Sequence, residues 1–405
     1  MRSENLSSKI LEAFHSMGLK SSIEKPIVIH EPDFKNTNAT QYVENCIQTG
    51  WVSSAGKWVT SFEKKICNFT GSKYCVAVNN GTSALRLALH IVGVKRNEEV
   101  FVPPISFVAT ANAVAHLGAF PHFVDIESET LGLSADLLSK RIEEVGEIKN
   151  GHLFNKLTGR KISAIIAVHV FGNPANILSL LEVSRKWNIP LVEDAAEALG
   201  SWVNINKSKT HCGLIGDIGI ISFNGNKLIT TGGGGAIITN NKIFAENSRH
   251  LSTTAKKEHP WDFYHDQIAW NDRLPNLNAA LGVAQLEDIN NRLLKKKILF
   301  NKYSKALSNI DEVELIKERI NTKSNNWLIT IKFNSENYEV AKNNTINLLS
   351  KAHEIGLYLR PIWRPLNLLP MYRNSSTGKL FNCESQYQRF VSLPSSPQLL
   401  DNINS

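Results

Sequence analysis

A chain of 405 residues exceeds what one hydrophobic core usually serves, so at least two domains are expected. Hydrophobic residues make up 42% and charged residues 20%, an ordinary balance for a soluble globular protein, and no run approaches the roughly 18 apolar residues of a membrane span. The net charge of +8 suits anionic ligands, but the lysines and arginines are scattered rather than gathered into a nucleic-acid footprint. The densest run, Lys295-Lys296-Lys297 after Arg292, falls on a predicted helix and reads as a solvated face. The opening Met1-Arg2-Ser3-Glu4-Asn5-Leu6 lacks the apolar centre of a secretory signal. A cytoplasmic protein with neither membrane nor nucleic-acid partners is therefore expected. The five cysteines, Cys46, Cys67, Cys75, Cys212 and Cys383, are odd in number and form no CxxC pair. That pattern argues for packed thiols, not for a metal site or a disulfide framework.

In chain order, residues 1–35 read as a helical arm with an extended lead-in. Residues 36–285 alternate short apolar runs with helical stretches. Asn80-Gly81-Thr82-Ser83 precedes an amphipathic run from Ala84. Val100 to Val102 reads as a strand, Ser106 to His116 as a helix, and Phe120 to Val124 as the next strand. Ile162 to Val170 is mostly apolar and rich in β-branched residues, as a buried strand is, and Ile189 to Val192 is a shorter one. Ile218 to Phe223 and Gly235 to Thr239 make two more, with a glycine-rich loop between them. Such alternation predicts an α/β domain with a mostly parallel sheet. Residues 286–405 change texture: a long charged helix over 287–308, a strand over Trp327–Phe333 and a helix over Tyr338–Gly356 fit a smaller α+β domain.

Three segments carry candidate chemistry. Asn80-Gly81-Thr82-Ser83 offers free N–H groups, a helix dipole and two hydroxyls to an anion, or it is a plain helix cap. Asp194, in Glu193-Asp194-Ala195-Ala196-Glu197, ends an apolar strand, where ligands gather in open α/β sheets. A carboxylate there can keep a pyridine nitrogen protonated, or it is a turn acid. Glu193 and Glu197 beside it suit surface acids equally well. Lys227 follows Ser222-Phe223-Asn224-Gly225-Asn226 and precedes Thr230-Thr231-Gly232-Gly233-Gly234-Gly235. It lies between a buried strand and a loop whose backbone can approach a bulky ligand, as a Schiff-base lysine requires. A hairpin with an incidental lysine is the plainer reading. Gly232 to Gly235 does not match GxGxxG, so dinucleotide binding fits poorly. His169, just past the buried strand, suits either a ligand contact or a satisfied core histidine.

The order of these segments is more informative than any one of them. Phosphate loop, strand-end carboxylate, then lysine before a glycine loop is the order in fold-type-I pyridoxal-phosphate (PLP) enzymes, which share the aspartate aminotransferase fold. Within that class the chain resembles the DegT/DnrJ/EryC1/StrS sugar aminotransferases from about Trp51 to Ser396. The resemblance rests on Asn80–Leu85, Glu193–Glu197, Ser222–Lys227 and Asn276-Leu277-Asn278-Ala279-Ala280-Leu281-Gly282. It implies that Lys227 carries PLP and shuttles a proton, and that Asp194 pairs with the pyridine nitrogen. It further implies that Phe107 stacks on the ring, that Thr82, Ser83 and Ser222 hold the phosphate, and that Glu197 lies in the cofactor site. Asn271 and Arg273 would complete the phosphate site of a partner subunit in a homodimer with shared active sites. Here the usual Gly-Tyr-Asn-Tyr-Arg of the family reads Ala269-Trp270-Asn271-Asp272-Arg273. His265, Arg360 and Trp363 fall in regions that surround the nucleotide sugar.

Ser222–Lys227, the glycine loop, His250–Lys256 and His259–His265 look most like the legionaminic acid and bacillosamine pathway enzymes. The implied substrates are a UDP- or GDP-linked 4-keto-6-deoxy-N-acetylhexosamine and L-glutamate, giving a 4-amino sugar. A perosamine-type aminotransferase is the alternative. A sugar dehydratase of the same fold replaces the lysine with histidine, which Lys227 opposes. A DNA-binding PLP-fold regulator needs a further domain, for which the 35-residue lead-in is too short.

Overall fold

A computed structural model describes residues 2–403; Met1, where the opening segment begins, and the last two residues lie outside them. Seven strands form the main sheet: β1 Tyr74–Val78, β2 Glu99–Val102, β3 Phe120–Phe123, β4 Ile162–Val168, β5 Leu191–Asp194, β6 Ile218–Ser222 and β7 Gly235–Thr239. Their spatial order is β1-β7-β6-β5-β4-β2-β3. The four pairs from β6 across to β3 are parallel, and only β7 runs antiparallel to its neighbours. All seven residues of β4 are buried, as a central parallel strand covered on both faces must be. The fold is thus α/β with a mostly parallel sheet, as in fold-type-I PLP enzymes.

Several boundaries differ from the expected ones for identifiable reasons. The strand expected at Ile189–Val192 begins at Leu191, after Pro190, which has no N–H for a ladder. It then continues through Glu193 and Asp194, which hydropathy alone would assign to a loop. The helix expected from Ser106 begins at Ala109, so Phe107 stands in the turn before it. The strand expected from Trp327 begins at Thr330. The segment between β6 and β7 is indeed a long hairpin, with Ser222 opposite Gly235 and Lys227 on its loop.

Four antiparallel strands make a second sheet: β8 Val313–Leu315, β9 Thr330–Phe333, β10 Arg360–Pro361 and β11 Phe390–Ser392, in the order β8-β9-β11-β10. Helices Ile289–Ala306 and Tyr338–Glu354 accompany it. The first helix, Arg2–Ser16, shares this core: Leu6, Ile10 and Phe14 pack with Leu299, Tyr303, Phe333 and Leu348. The Phe14 and Tyr303 rings meet edge to face at 5.5 Å. No helix among the described residues is long and apolar enough to cross a membrane.

Candidate active site

A cavity of about 350 Å³ opens where the carboxyl ends of β4, β5 and β6 meet the helix Gly81–Ile91 and the second sheet. Ligands of open α/β sheets collect at this end. Of the residues singled out from the sequence, Thr82, Phe107, Asp194, Glu197, Ser222, Lys227, Arg360 and Trp363 line it.

Asp194 is 7% exposed at the end of β5. Its Oδ2 accepts from Thr110 Oγ1 at 2.8 Å and its Oδ1 from the Ala196 N–H at 3.2 Å. Burial pushes its carboxyl above the usual range, although those bonds and Lys227 oppose the shift. A carboxylate in this state gains from a cationic partner. Ser106 Oγ lies 2.6 Å from Thr110 Oγ1 and fixes that hydroxyl. Thr110 carried no signal of its own in the sequence, because its partner is 84 residues away.

Glu193, one residue earlier, faces away from the cavity and is fully buried, not a surface acid. Backbone N–H groups of Gly213, Ile215 and Gly216 donate to it, at 2.8, 2.6 and 2.6 Å. His169 Nε2 lies 3.0 Å from it. The Ala175 N–H donates to His169 Nδ1 at 3.1 Å, which leaves Nε2 to present its proton to Glu193. His169 is therefore a satisfied core histidine. Despite burial, these donors hold Glu193 below the usual carboxylate range.

Lys227 projects from the β6–β7 loop, where its N–H donates to Asn224 O at 3.0 Å. Its Nζ lies 3.3 Å from Glu197 Oε1 and 3.8 Å from the centre of the Trp327 ring. Glu197 Oε2 accepts the Phe171 N–H at 2.9 Å. Burial raises the Glu197 carboxyl, with Lys227 pulling the other way. Phe171 adopts φ 58°, ψ 16°, uncommon for an aromatic residue, and stacks on Trp363 at 5.1 Å. Neither Trp327 nor Phe171 was legible as a site residue, since each arrives through tertiary packing.

At the other end, Asn80 caps the helix by accepting the Ser83 N–H at 2.8 Å. The cap and the anion site are therefore compatible: Ser83 lies buried behind the rim, while Gly81 and Thr82 line the cavity. A Cβ on Gly81 would stand 2.9 Å from Ser222 Cβ, so only glycine lets the helix start meet β6 this closely. Phe107 is 55% exposed beside the cavity. The cavity thus combines a helix N-terminus with hydroxyls, a buried carboxylate, a lysine and an aromatic ring, groups that could hold the phosphate, ring nitrogen, aldehyde and face of PLP.

Besides Ser83, three expected residues do not reach the cavity of their own chain. His265 is exposed on a hairpin, its Nδ1 2.8 Å from Thr254 O. Asn271 is exposed beside Thr253. Arg273, expected to reach a partner's phosphate, is instead committed within its own chain. Its guanidinium donates to Ala77 O and to Glu63 Oε1, both at 2.9 Å. Glu63 also receives Arg249 at 2.8 Å, so one buried acid holds two arginines. Among the described residues no cluster of His, Cys, Asp and Glu could hold a metal ion.

Comparison with known proteins agrees with this geometry. Residues 34–403 match the model of the DegT/DnrJ/EryC1/StrS aminotransferase family. The chain is 33% identical over 379 residues to GDP-perosamine synthase of Vibrio cholerae, covering 93% of this chain and 95% of that one. It is 29% identical over 345 residues to the UDP-4-amino-4,6-dideoxy-N-acetyl-beta-L-altrosamine transaminase of Campylobacter jejuni, with 85% and 86% covered. The crystal structure of a DegT DnrJ EryC1 StrS aminotransferase from Brucella abortus superposes with a TM-score of 0.78 at 27% identity, over 91% of this chain and 94% of that one. The chain thus belongs to the DegT/DnrJ/EryC1/StrS family and is a PLP-dependent sugar aminotransferase.

Proposed function

We propose that this enzyme converts a nucleotide-linked 4-keto-6-deoxy-N-acetylhexosamine to the 4-amino sugar, with L-glutamate as donor, in the cytoplasm and on the way to a bacterial surface glycan of the legionaminic acid or bacillosamine type. The observation that carries the reading is the convergence of Lys227, Glu197 and Asp194 on one cavity walled by Arg360, Trp363 and Phe171. Bound PLP supplies an electron sink for the bond-breaking step. Lys227 Nζ takes a proton from one carbon and returns it to another. Glu197 holds that amine in place, and Asp194, steadied by Thr110, receives the protonated ring nitrogen. Phe107 covers the ring face, and Thr82, Ser222 and the helix start bind the phosphate, with Ser83 supporting that turn. Arg360 suits a diphosphate and Trp363 a base or sugar face. His265, on its exposed hairpin, suits a substrate carried by a neighbouring subunit. A perosamine-type substrate is the second reading, favoured by the 33% identity to GDP-perosamine synthase. Assaying UDP- and GDP-linked 4-keto-6-deoxy-N-acetylhexosamine against GDP-linked 4-keto-6-deoxymannose separates the two. Turnover of the mannose derivative alone overturns the first.

The working unit in this reading is a homodimer with shared sites. A PLP phosphate carries close to two negative charges, and a helix start offsets about half of one. Exposed Asn271 is the donor that a second subunit would bring, with Arg273 holding its segment against Glu63. Mixing Lys227→Ala protein with inactive Asn271→Ala protein should restore activity through one intact site per mixed dimer. Absence of recovery after verified subunit exchange would refute shared sites.

A further inference from the structure

The Lys227 amine is held by two groups, and only one of them is charged. Glu197 stands on one side and the face of Trp327 on another, 3.8 Å from the ring centre. Trp327 is 3% exposed and fixed at three points. Its indole Nε1–H donates to Asn226 O at 2.7 Å, on the residue just before Lys227. Its backbone N–H donates to Asn325 Oδ1 at 2.8 Å. Its carbonyl accepts from Lys296 Nζ at 2.6 Å. Lys296, expected on a solvated helix face, is instead fully buried and also donates to Ser395 O at 2.6 Å, so it ties the Trp327 backbone to the segment after β11. The residue that touches the amine is therefore the same one that pins the backbone next to it.

We infer that Trp327 is a positioning residue for Lys227: its face fixes where the amine stands, and its N–H fixes the loop that carries it. The inference rests on Lys227 being the lysine that bears PLP. A lysine reaches its target on a flexible four-carbon stem, and one carboxylate restrains it from one side only. A second carboxylate would add another proton acceptor and hold the ammonium more tightly. An aromatic face attracts the ammonium without offering a lone pair for its proton. The amine is thus confined by an aromatic face that is not itself a base.

The test compares Trp327→Leu, which removes face and N–H, with Trp327→Phe, which keeps a face. Cofactor-free protein carrying carbon-13 at lysine Cε gives a direct readout, with Lys227→Arg identifying the Lys227 signal. Wild type should show this signal displaced upfield by the indole ring current. Trp327→Leu should return it to the ordinary lysine position, and Trp327→Phe should keep part of the displacement. In the loaded enzyme, Trp327→Leu should lower kcat about tenfold with KM changed less than about twofold, and Trp327→Phe should recover part of the loss. An undisplaced wild-type signal, or wild-type kcat in Trp327→Leu, overturns the inference. So does a kcat loss that tracks lowered thermal stability and is not recovered by Trp327→Phe. Borohydride reduction and peptide mapping of wild type keep the two claims apart. Label on another lysine overturns the Lys227 reading and this one with it, whereas label on Lys227 with unchanged kcat overturns only the role of Trp327.

Discussion

Glu193 and Asp194 are consecutive, both buried, and on one strand, yet their surroundings are opposite. Strand alternation turns Glu193 away from the cavity, where three backbone N–H groups and His169 converge on it and lower its pKa. Asp194 faces the cavity with two donors, and burial wins, raising its pKa. A carboxylate saturated by the fold stabilises the fold. One left short of donors is a place for something else to bind. On the proposed reading, the pair separates a structural acid from a functional one where burial and residue type do not.

The largest effect expected lies on the functional side. Lys227→Ala should abolish turnover while the protein keeps its far-UV spectrum and unfolding midpoint; persistent transamination would remove Lys227 from its role. Asp194→Asn comes next. It should lower the rate of the glutamate half-reaction about a hundredfold or more, the loss of roughly 3 kcal/mol typical of a missing electrostatic partner. Its thermal midpoint should hold or rise, because the charge it removes is one that burial disfavours. A variant that unfolds early but reacts normally would reverse the assignment.

Glu193→Gln should do the opposite. An amide presents N–H groups where N–H donors already converge, so about 2–3 kcal/mol of stability should go. Activity per folded molecule should change far less than in Asp194→Asn, as active-site titration against thermal unfolding would reveal. The smallest effect sharpens the contrast through pH. Glu99 is another saturated acid. Burial favours its neutral form, but His122, Asn155 and Thr158 hold its pKa at about 2, below the usual 4.5. Its folded-state pKa is depressed, so its stabilisation is fully present above about pH 4.5 and is lost as pH falls towards 2. The gap in unfolding midpoint between wild type and Glu99→Gln should therefore be constant from pH 7 to 5 and narrow below 4.5. A gap that widens on acidification would contradict the assignment.

Much of this was legible in the sequence because it depends on local order. β4 reads as a buried strand from its own residues. The motifs carrying Thr82, Asp194 and Lys227 stand at strand ends or helix starts that periodicity locates. What escaped depends on partners far along the chain. Thr110 holds Asp194, Trp327 holds Lys227, and Glu63 binds Arg273, and no local pattern announces such pairings. The charged end of β5 was cut short for a related reason. Hydropathy reads Glu193-Asp194 as polar, whereas backbone donors at Glu193 and the Thr110 and Ala196 donors at Asp194 are what let the strand bury them.

The first helix has a consequence for how the chain is made. Leu6, Ile10 and Phe14 leave the ribosome well before Leu299, Tyr303, Phe333 and Leu348 are made. The main sheet is complete at Thr239, so it can form while the opening helix still has its apolar stripe exposed. Nascent chains should therefore present that stripe to chaperones until those partners are made. A truncation that removes Leu299 to Leu348 would also free the first helix, and such products should be cut by proteases there.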